Sequence, residues 1–320
     1  MESSVYEVET NLEDYHWWFR VRRSLFAKEL ALAGFTPDQR ILDIGTSTGT
    51  NLRLLRDLGC GDATGIDYSP EAIEHCLSKG FTAICRGDIC ALPFNDSTFD
   101  LVMATDILEH VDEDAMALAE IKRVLKPGGR VLITVPAFQS LWGRQDEVSH
   151  HKRRYLMPRL LALIEAAGLS VAKHYYFNYL LFVPIFIARM AMRLFRIRPD
   201  SENAINAPIL NTILKAIFYF DVATARRLQP PFGVSILALA NKPLKELARV
   251  PDIAPPPAQK CELDLLRCPV SEGVLRANDM YLYSSEGDTR YRLNAAGVPL
   301  FAESAHSDDR GQSNQSMAGS

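Results

Sequence analysis

Arg40–Leu52 reads RILDIGTSTGTNL, an apolar strand that runs into a turn with glycines at 45 and 49. The pentad Gly45-Thr46-Ser47-Thr48-Gly49 is a literal G-x-S-x-G, the sharp strand-to-helix turn on which a hydrolase presents a serine nucleophile. That chemistry also needs an oxyanion loop upstream, then an acid and a histidine in order. No HGGG-type segment precedes Gly45, and the one early strand is the one feeding the turn. Ser47 is therefore expected to be small rather than reactive. A glycine-rich turn after a strand also opens dinucleotide-binding folds, whose pattern is G-x-G-x-x-G. Here Ser47 stands between the two glycines, giving D-x-G-x-S-x-G, and Asp43 sits at the strand end. A pyrophosphate wants close backbone approach at a helix N-terminus. An acid there suits a ligand with an ammonium group better.

Working outward, strand and helix patterns alternate from 41 to 136. Ala63–Ile66 reads as a strand ending at Asp67, where a carboxylate can accept from both ribose hydroxyls. Ser69-Pro70-Glu71 opens a helix with a cap, a proline and an early acid. Phe81–Cys85 and Phe99–Ala104 are strand-like, and Asp88 follows the first of them, placed to accept from an adenine amino group. Glu113–Leu125 is helical, Lys126-Pro127-Gly128-Gly129 stops it, and Arg130–Val135 is a further strand. Strands separated by helices imply right-handed crossovers and a parallel sheet.

The runs ILDIGTSTGTNLRLL, GIDYSPEAIEHC, RGDICALPFNDSTFDLVMATDILEHV and ALAEIKRVLKPGGRVLITVPA together resemble class I S-adenosylmethionine-dependent methyltransferases of the small-molecule branch. The resemblance covers about 41–137. It implies an α/β, Rossmann-like, doubly wound sheet of seven strands with the last antiparallel. It implies S-adenosyl-L-methionine across the strand ends, with Asp43, Gly45, Thr46, Ser47 and Gly49 at the methionine part. Asp67 and Tyr68 would serve the ribose and Asp88 and Ile89 the adenine, while Thr105 and Asp106 would face the methyl group. Ser47 departs from the glycine usual in the family.

Methyl transfer is an in-line displacement, so orientation supplies much of the rate, and a base is needed only if the nucleophile arrives protonated. Two clusters could supply one. His110, in DILEHVDED, follows the fourth strand and reads equally as a packing residue. LWGRQDEVSHHKRRYL (141–156) follows the fifth strand and reads either as a solvated charged loop or as an anion-recognising, acid–base loop. Related methyltransferases often carry D-E-x-x-x-H-x-R-R-Y here, which implies roles for Asp146, His151 and Arg154.

The remainder is less regular. Residues 1–40 read as a helical cap, with an aromatic amphipathic helix at 15–30. A methyltransferase domain spans 41–242, with an apolar helical insertion at 178–231. In this fold strands six (169–177) and seven (232–241) normally form a hairpin, so an insertion there is placed to roof the site. It reads either as a helical pair packed on the sheet or a second subunit, or as a greasy lid for a lipid-like acceptor. The second reading expects peripheral membrane contact through 178–220. Pro184 and Arg189 argue against a spanning helix. Residues 243–260 read as a proline-rich linker and 304–320 as a disordered polar tail. Between them, 261–303 resembles the small zinc-ribbon activator of certain tRNA and protein methyltransferases, a mostly-β module for partner or self-docking. Cys268 stands alone where a cysteine pair belongs and the second pair is missing, so no metal is expected.

Composition sets the outer bounds. The chain has 320 residues, 48% apolar, with a net charge of −4, which gives no reason to expect nucleic acid. Six cysteines show no C-x-x-C pair, and the polar, acidic start lacks a secretion signal pattern, so a cytoplasmic protein, peripheral at the inner membrane surface on the lid reading, is expected. The expected function is methyl transfer to a small or lipid-linked acceptor; a non-catalytic cofactor-binding subunit is the alternative.

Overall fold

The computed structural model describes residues 3–195 and 208–244, and four strands lying at 275–277, 281–284, 290–293 and 299–304. Two compact units divide the chain, 1–247 and 248–320.

In the first unit seven strands form one sheet in the order β3-β2-β1-β4-β5-β7-β6. Strands β1 (Arg40–Ile44), β2 (Asp62–Asp67), β3 (Ile84–Arg86) and β4 (Phe99–Thr105) are parallel to their neighbours, as is β4 to β5 (Leu125–Pro136). β7 (Ser235–Asn241) runs antiparallel to both β5 and β6 (Ser170–Phe177). The expected α/β sheet with its last strand antiparallel is thus the observed one. Ile41, Leu42, Val102, Leu132 and Ile133 are fully buried because helices cover both faces. α5 (Asp114–Val124) and α7 (Met157–Ala166) pack on one face, with Leu118, Ile121, Leu160 and Ile164 in the core. α2 (Trp17–Leu32), α3 (Thr50–Asp57) and α9 (Pro208–Leu228) pack on the other, through Val21, Leu25, Leu55 and Phe218.

Three boundaries differ from the sequence reading, each for a local reason. β3 begins at Ile84, because the Phe81 amide closes α4 (Pro70–Ser78) on the Cys76 carbonyl at 3.0 Å. β5 begins at Leu125, with the Lys126–Gly129 turn taken up as an irregularity in its pairing with β4. Gly128 and Gly129 then exchange hydrogen bonds with Lys242 at the end of β7, at 2.9 and 2.8 Å. The N-terminal cap holds two helices, α1 (Ser3–Leu12) before α2.

The insertion between β6 and β7 contains α8 (Phe182–Leu194) and α9. The Asp221 carboxylate on α9 accepts from the amides of Asn178 and Leu180 at 2.7 and 2.9 Å, tying α9 to the end of β6. Trp18 on α2 stacks on Phe218 of α9, centroids 5.2 Å apart and rings nearly parallel. In the second unit β8 (Leu275–Ala277), β9 (Tyr281–Ser284), β10 (Arg290–Leu293) and β11 (Pro299–Ser304) form an antiparallel sheet in sequential order. Residues 245–260 of the expected linker, Cys261, Cys268 and residues 305–320 lie outside the described residues.

Candidate cofactor and acceptor site

The C-terminal ends of β1, β2 and β4 meet where the order of the sheet reverses, the crevice in which open α/β sheets bind ligands. Gly45 leaves β1 at φ +74°, and a Cβ there would lie 2.8 Å from Ile107 Cδ1. Ser47 follows at φ +48°, a left-handed conformation that favours glycine. Its amide donates to Asp67 Oδ2 at 3.0 Å, and the Ser69 amide donates to Asp67 Oδ1 at 2.9 Å. Burial raises the pKa of Asp67, while these backbone donors oppose the shift. Gly49 starts α3 at φ +83°.

Asp43 lies beneath the loop, fully buried, with Oδ1 accepting from Asn51 Nδ2 at 2.9 Å and Oδ2 unpartnered. Burial pushes its pKa up to about 7, against the lowering effect of Asn51. Asn51 Nδ2 also donates to Thr105 Oγ1 at 2.9 Å. Asp106, at φ +53°, accepts from Thr134 Oγ1 at 3.0 Å and pairs with Arg22 of α2 at 2.5 Å. Asp88 accepts from the Cys90 amide at 2.8 Å, and Arg86 lies over the exposed Tyr68 ring.

A cavity of about 1400 Å³ runs through this site, larger than the ~300–1,000 Å³ of a typical small-molecule pocket. Gly45, Thr46, Ser47, Asp67, Tyr68, Asp88, Ile89, Thr105 and Asp106 line it, as do His110, His151 and Arg154. Asp43 and Gly49 are not in its wall: the first supports the loop from below, and the second turns it into α3. Asp146 is likewise behind the wall. Its Oδ1 accepts from Arg154 Nε and from His151 Nδ1, both at 2.8 Å, and its Oδ2 takes Arg154 Nη2 at 3.0 Å and the Gly143 amide at 2.7 Å. Burial alone would raise its pKa, but His151 and Arg154 outweigh it and hold the carboxyl at about 2.

Comparison with known proteins adds a second line of argument. Residues 42–133 match the model of a methyltransferase domain family. A demethylmenaquinone methyltransferase of Tropheryma whipplei is 32% identical over 171 residues, 48% of this chain and 62% of that protein. An uncharacterised protein of Methanocaldococcus jannaschii is 30% identical over 145 residues, 45% of this chain and 67% of that one. Residues 42–133 form a methyltransferase domain. The match spans less than two thirds of the Tropheryma enzyme's length. A chain from the Haloferax volcanii Trm112 methyltransferase activator complex shares the fold, with a TM-score of 0.50, 22% identity, 75% of this chain and 95% of that chain covered.

The cofactor of this domain class fits the residues present. Gly45, Thr46, Ser47 and the Asp67 carboxylate line the cavity together, and a Cβ at Gly87 would come within 2.6 Å of Ile66, keeping the floor beside Asp88 bare. Several residues of the methyltransferase domain's site escaped the sequence reading. Glu9 of α1 and Glu13 in the turn after it accept from Ser47 Oγ at 2.8 Å and Thr48 Oγ1 at 2.7 Å, and Lys79 braces Glu13 at 2.8 Å. Arg189 of α8 reaches the Leu141 carbonyl and lies 3.7 Å from Asp146 Oδ2. Glu109 is fully buried beside His110 and His151. The only signal for it was its place next to His110 in DILEHV.

Proposed function

We propose that the protein transfers a methyl group from S-adenosylmethionine to a nucleophilic atom of an acceptor with a substantial apolar part. One observation carries this reading: the cofactor end of the cavity is continuous with a wall from the insertion. Leu181, Pro184, Ile185, Ala188 and Met192 of the α8 segment, with Leu214 of α9, form that wall. Bound cofactor supplies an electrophilic methyl on a sulfonium. The chain's own residues then do three things. The Gly45–Gly49 loop and Asp67 orient the cofactor, the apolar wall excludes water and aligns the acceptor, and the His110–His151–Arg154 cluster handles the acceptor's polar end.

The Tropheryma relative is named a demethylmenaquinone methyltransferase, which makes demethylmenaquinone a reasonable first acceptor to assay. Outer faces of the insertion expose Val183, Ile187, Leu194, Phe195 and Ile209. Among the described residues no helix is long and apolar enough to cross a membrane. Peripheral contact through 178–220 is therefore part of the proposal, tested by sedimentation with anionic liposomes. The second unit is proposed as a docking module for a protein partner or for this chain itself.

Calorimetry with S-adenosylhomocysteine tests the cofactor half. Asp67→Ala deletes two charged acceptor contacts to a ribose, each ~1.5–3 kcal/mol, so affinity should fall by more than a hundredfold. Unchanged affinity refutes the assignment. Turnover on a demethylated quinone or a related apolar acceptor then separates an enzyme from the non-catalytic alternative.

A further inference from the structure

The sequence reading expected no metal because the second unit lacks its cysteine pairs, and it did not weigh Glu109, His110 and His151, far apart in the chain, as ligands. The fold closes that gap. The ligand atoms of Glu109, His110 and His151 all lie within 4.8 Å of one another. The two imidazole rings stand perpendicular with centroids 4.7 Å apart. His151 Nε2 is 4.0 Å from Glu109 Oε1. From this geometry we propose that Glu109, His110 and His151 bind a divalent transition-metal ion, zinc or iron(II) in class, with open coordination positions toward the acceptor cavity.

Three features favour a ligand set over a packing cluster. Glu109 is fully buried, yet neither carboxylate oxygen has a hydrogen-bond partner. A buried carboxyl left this way costs free energy unless something completes it. The His151 imidazole is also oriented as a neutral ligand. His151 Nδ1 is held by Asp146 at 2.8 Å, which leaves Nε2 with a lone pair toward Glu109. A carboxylate on the distal nitrogen is the usual way a ligating histidine is fixed. The His110 ring stands edge-on to His151 within the same cluster. Finally, the neighbouring cations are engaged elsewhere: Arg154 by Asp146, Arg22 by Asp106 and Lys152 by Asp112.

Two imidazoles and one carboxylate suit zinc or iron(II) better than magnesium or calcium, which prefer all-oxygen sets. Three protein ligands with an open position is the pattern of reactive rather than structural sites. All three residues line the same cavity as the cofactor loop. A coordinated oxygen of the acceptor would thereby be fixed close to the cofactor, and this clause alone rests on the proposed methyl-transfer function. Asp146 is then a positioning residue for His151.

The test uses the full chain carrying Cys261→Ser and Cys268→Ser, so that thiols of the second unit contribute no binding. Chelator-stripped protein is titrated with cobalt(II), read by its visible ligand-field bands, and with zinc in competition. One ion per chain is expected, with affinity at least tenfold weaker in His151→Ala and in Glu109→Gln. The glutamine isostere preserves the packing of the buried side chain. Far-ultraviolet circular dichroism, measured on each variant, shows that it is folded. Absence of saturable binding at millimolar metal overturns the proposal, as does affinity unchanged in Glu109→Gln and His151→Ala. No cofactor or acceptor enters the titration, so its failure leaves the methyl-transfer reading standing. A failed S-adenosylhomocysteine titration of the parent chain leaves the metal result readable.

Discussion

Replacing Asp146 by alanine removes a carboxylate with no solvent exposure and leaves Arg154, only 8% exposed, without its bidentate partner. Arg154 Nη1 would still donate to the Ala137 carbonyl at 3.1 Å, but the guanidinium would lose the carboxylate that takes both its Nε and Nη2. Arg189, 3.7 Å from Asp146 Oδ2, would lose that ion pair too. Breaking one side of a buried pair costs ~3–5 kcal/mol, because the surviving ion is stranded. Urea unfolding followed by tryptophan fluorescence should therefore show a destabilisation of about that size. Glu147→Ala is the internal control. Glu147 pairs with Arg144 at 3.0 Å with both side chains exposed, and such pairs are worth roughly 0–1 kcal/mol. Acid behaviour gives a second reading. The Asp146 carboxyl is held at about 2 in the fold against ~3.9 unfolded. Its stabilisation is thus complete above ~4 and disappears as pH falls toward 2. Parent and Asp146→Ala should converge in stability over that window. A loss no larger than in Glu147→Ala, or equal pH slopes, refutes the claim that Asp146 anchors this loop.

Asp43 has the opposite sign, since burial raises its folded pKa to about 7. In the absence of cofactor its folded state holds the proton more tightly, so it costs stability as pH rises from ~4 through about 7. Asp43→Asn should flatten that part of the profile in urea midpoints, and an unchanged slope counts against it. Ser47→Gly relieves a left-handed residue, worth ~1–2 kcal/mol, but gives up the hydrogen bond from Ser47 Oγ to Glu9. Calorimetry with S-adenosylhomocysteine should show affinity within threefold of the parent; a tenfold loss means the hydroxyl itself matters.

The sheet and the cofactor loop were legible because their signals are local. Asp43, Asp67 and Asp88 each stand at a strand end, and Ser69-Pro70 announces a helix in its own dipeptide. Ser47 is only partly explained by smallness: it occupies a conformation glycine would prefer and uses its hydroxyl to hold α1. That second role depends on Glu9, far away in sequence and without a motif of its own. Glu109 escaped for the same reason. A carboxylate beside His110 on the surface of a loop means little, and its burial against His151 follows only from the path of the 141–156 segment. The Asp146–His151–Arg154 grouping was read from a resemblance. Its geometry, with Asp146 behind the cavity wall rather than in it, needed coordinates.

Asn211 makes a further point that pattern reading could not reach, because it concerns two segments with unrelated signals. The turn between α1 and α2 and the start of α9 both border the cavity, through His16, Trp17, Leu210 and Leu214. Asn211 Oδ1 accepts from the Trp17 amide at 2.7 Å, and its Nδ2 donates to the Tyr15 carbonyl at 3.0 Å. One side chain therefore clasps the N-terminal cap to the insertion, so neither cover can move fully without the other. Asn211→Ala removes two hydrogen bonds of ~0.5–1.5 kcal/mol each. Local opening should become roughly 5- to 150-fold more frequent, since each 1.4 kcal/mol is about tenfold. Hydrogen exchange should speed up by that factor in the first turns of α9 and α2. The sheet strands, which exchange only through larger openings, should keep their protection. Acceleration confined to α9, with α2 unchanged, would show that the two covers open independently and that the clasp is incidental.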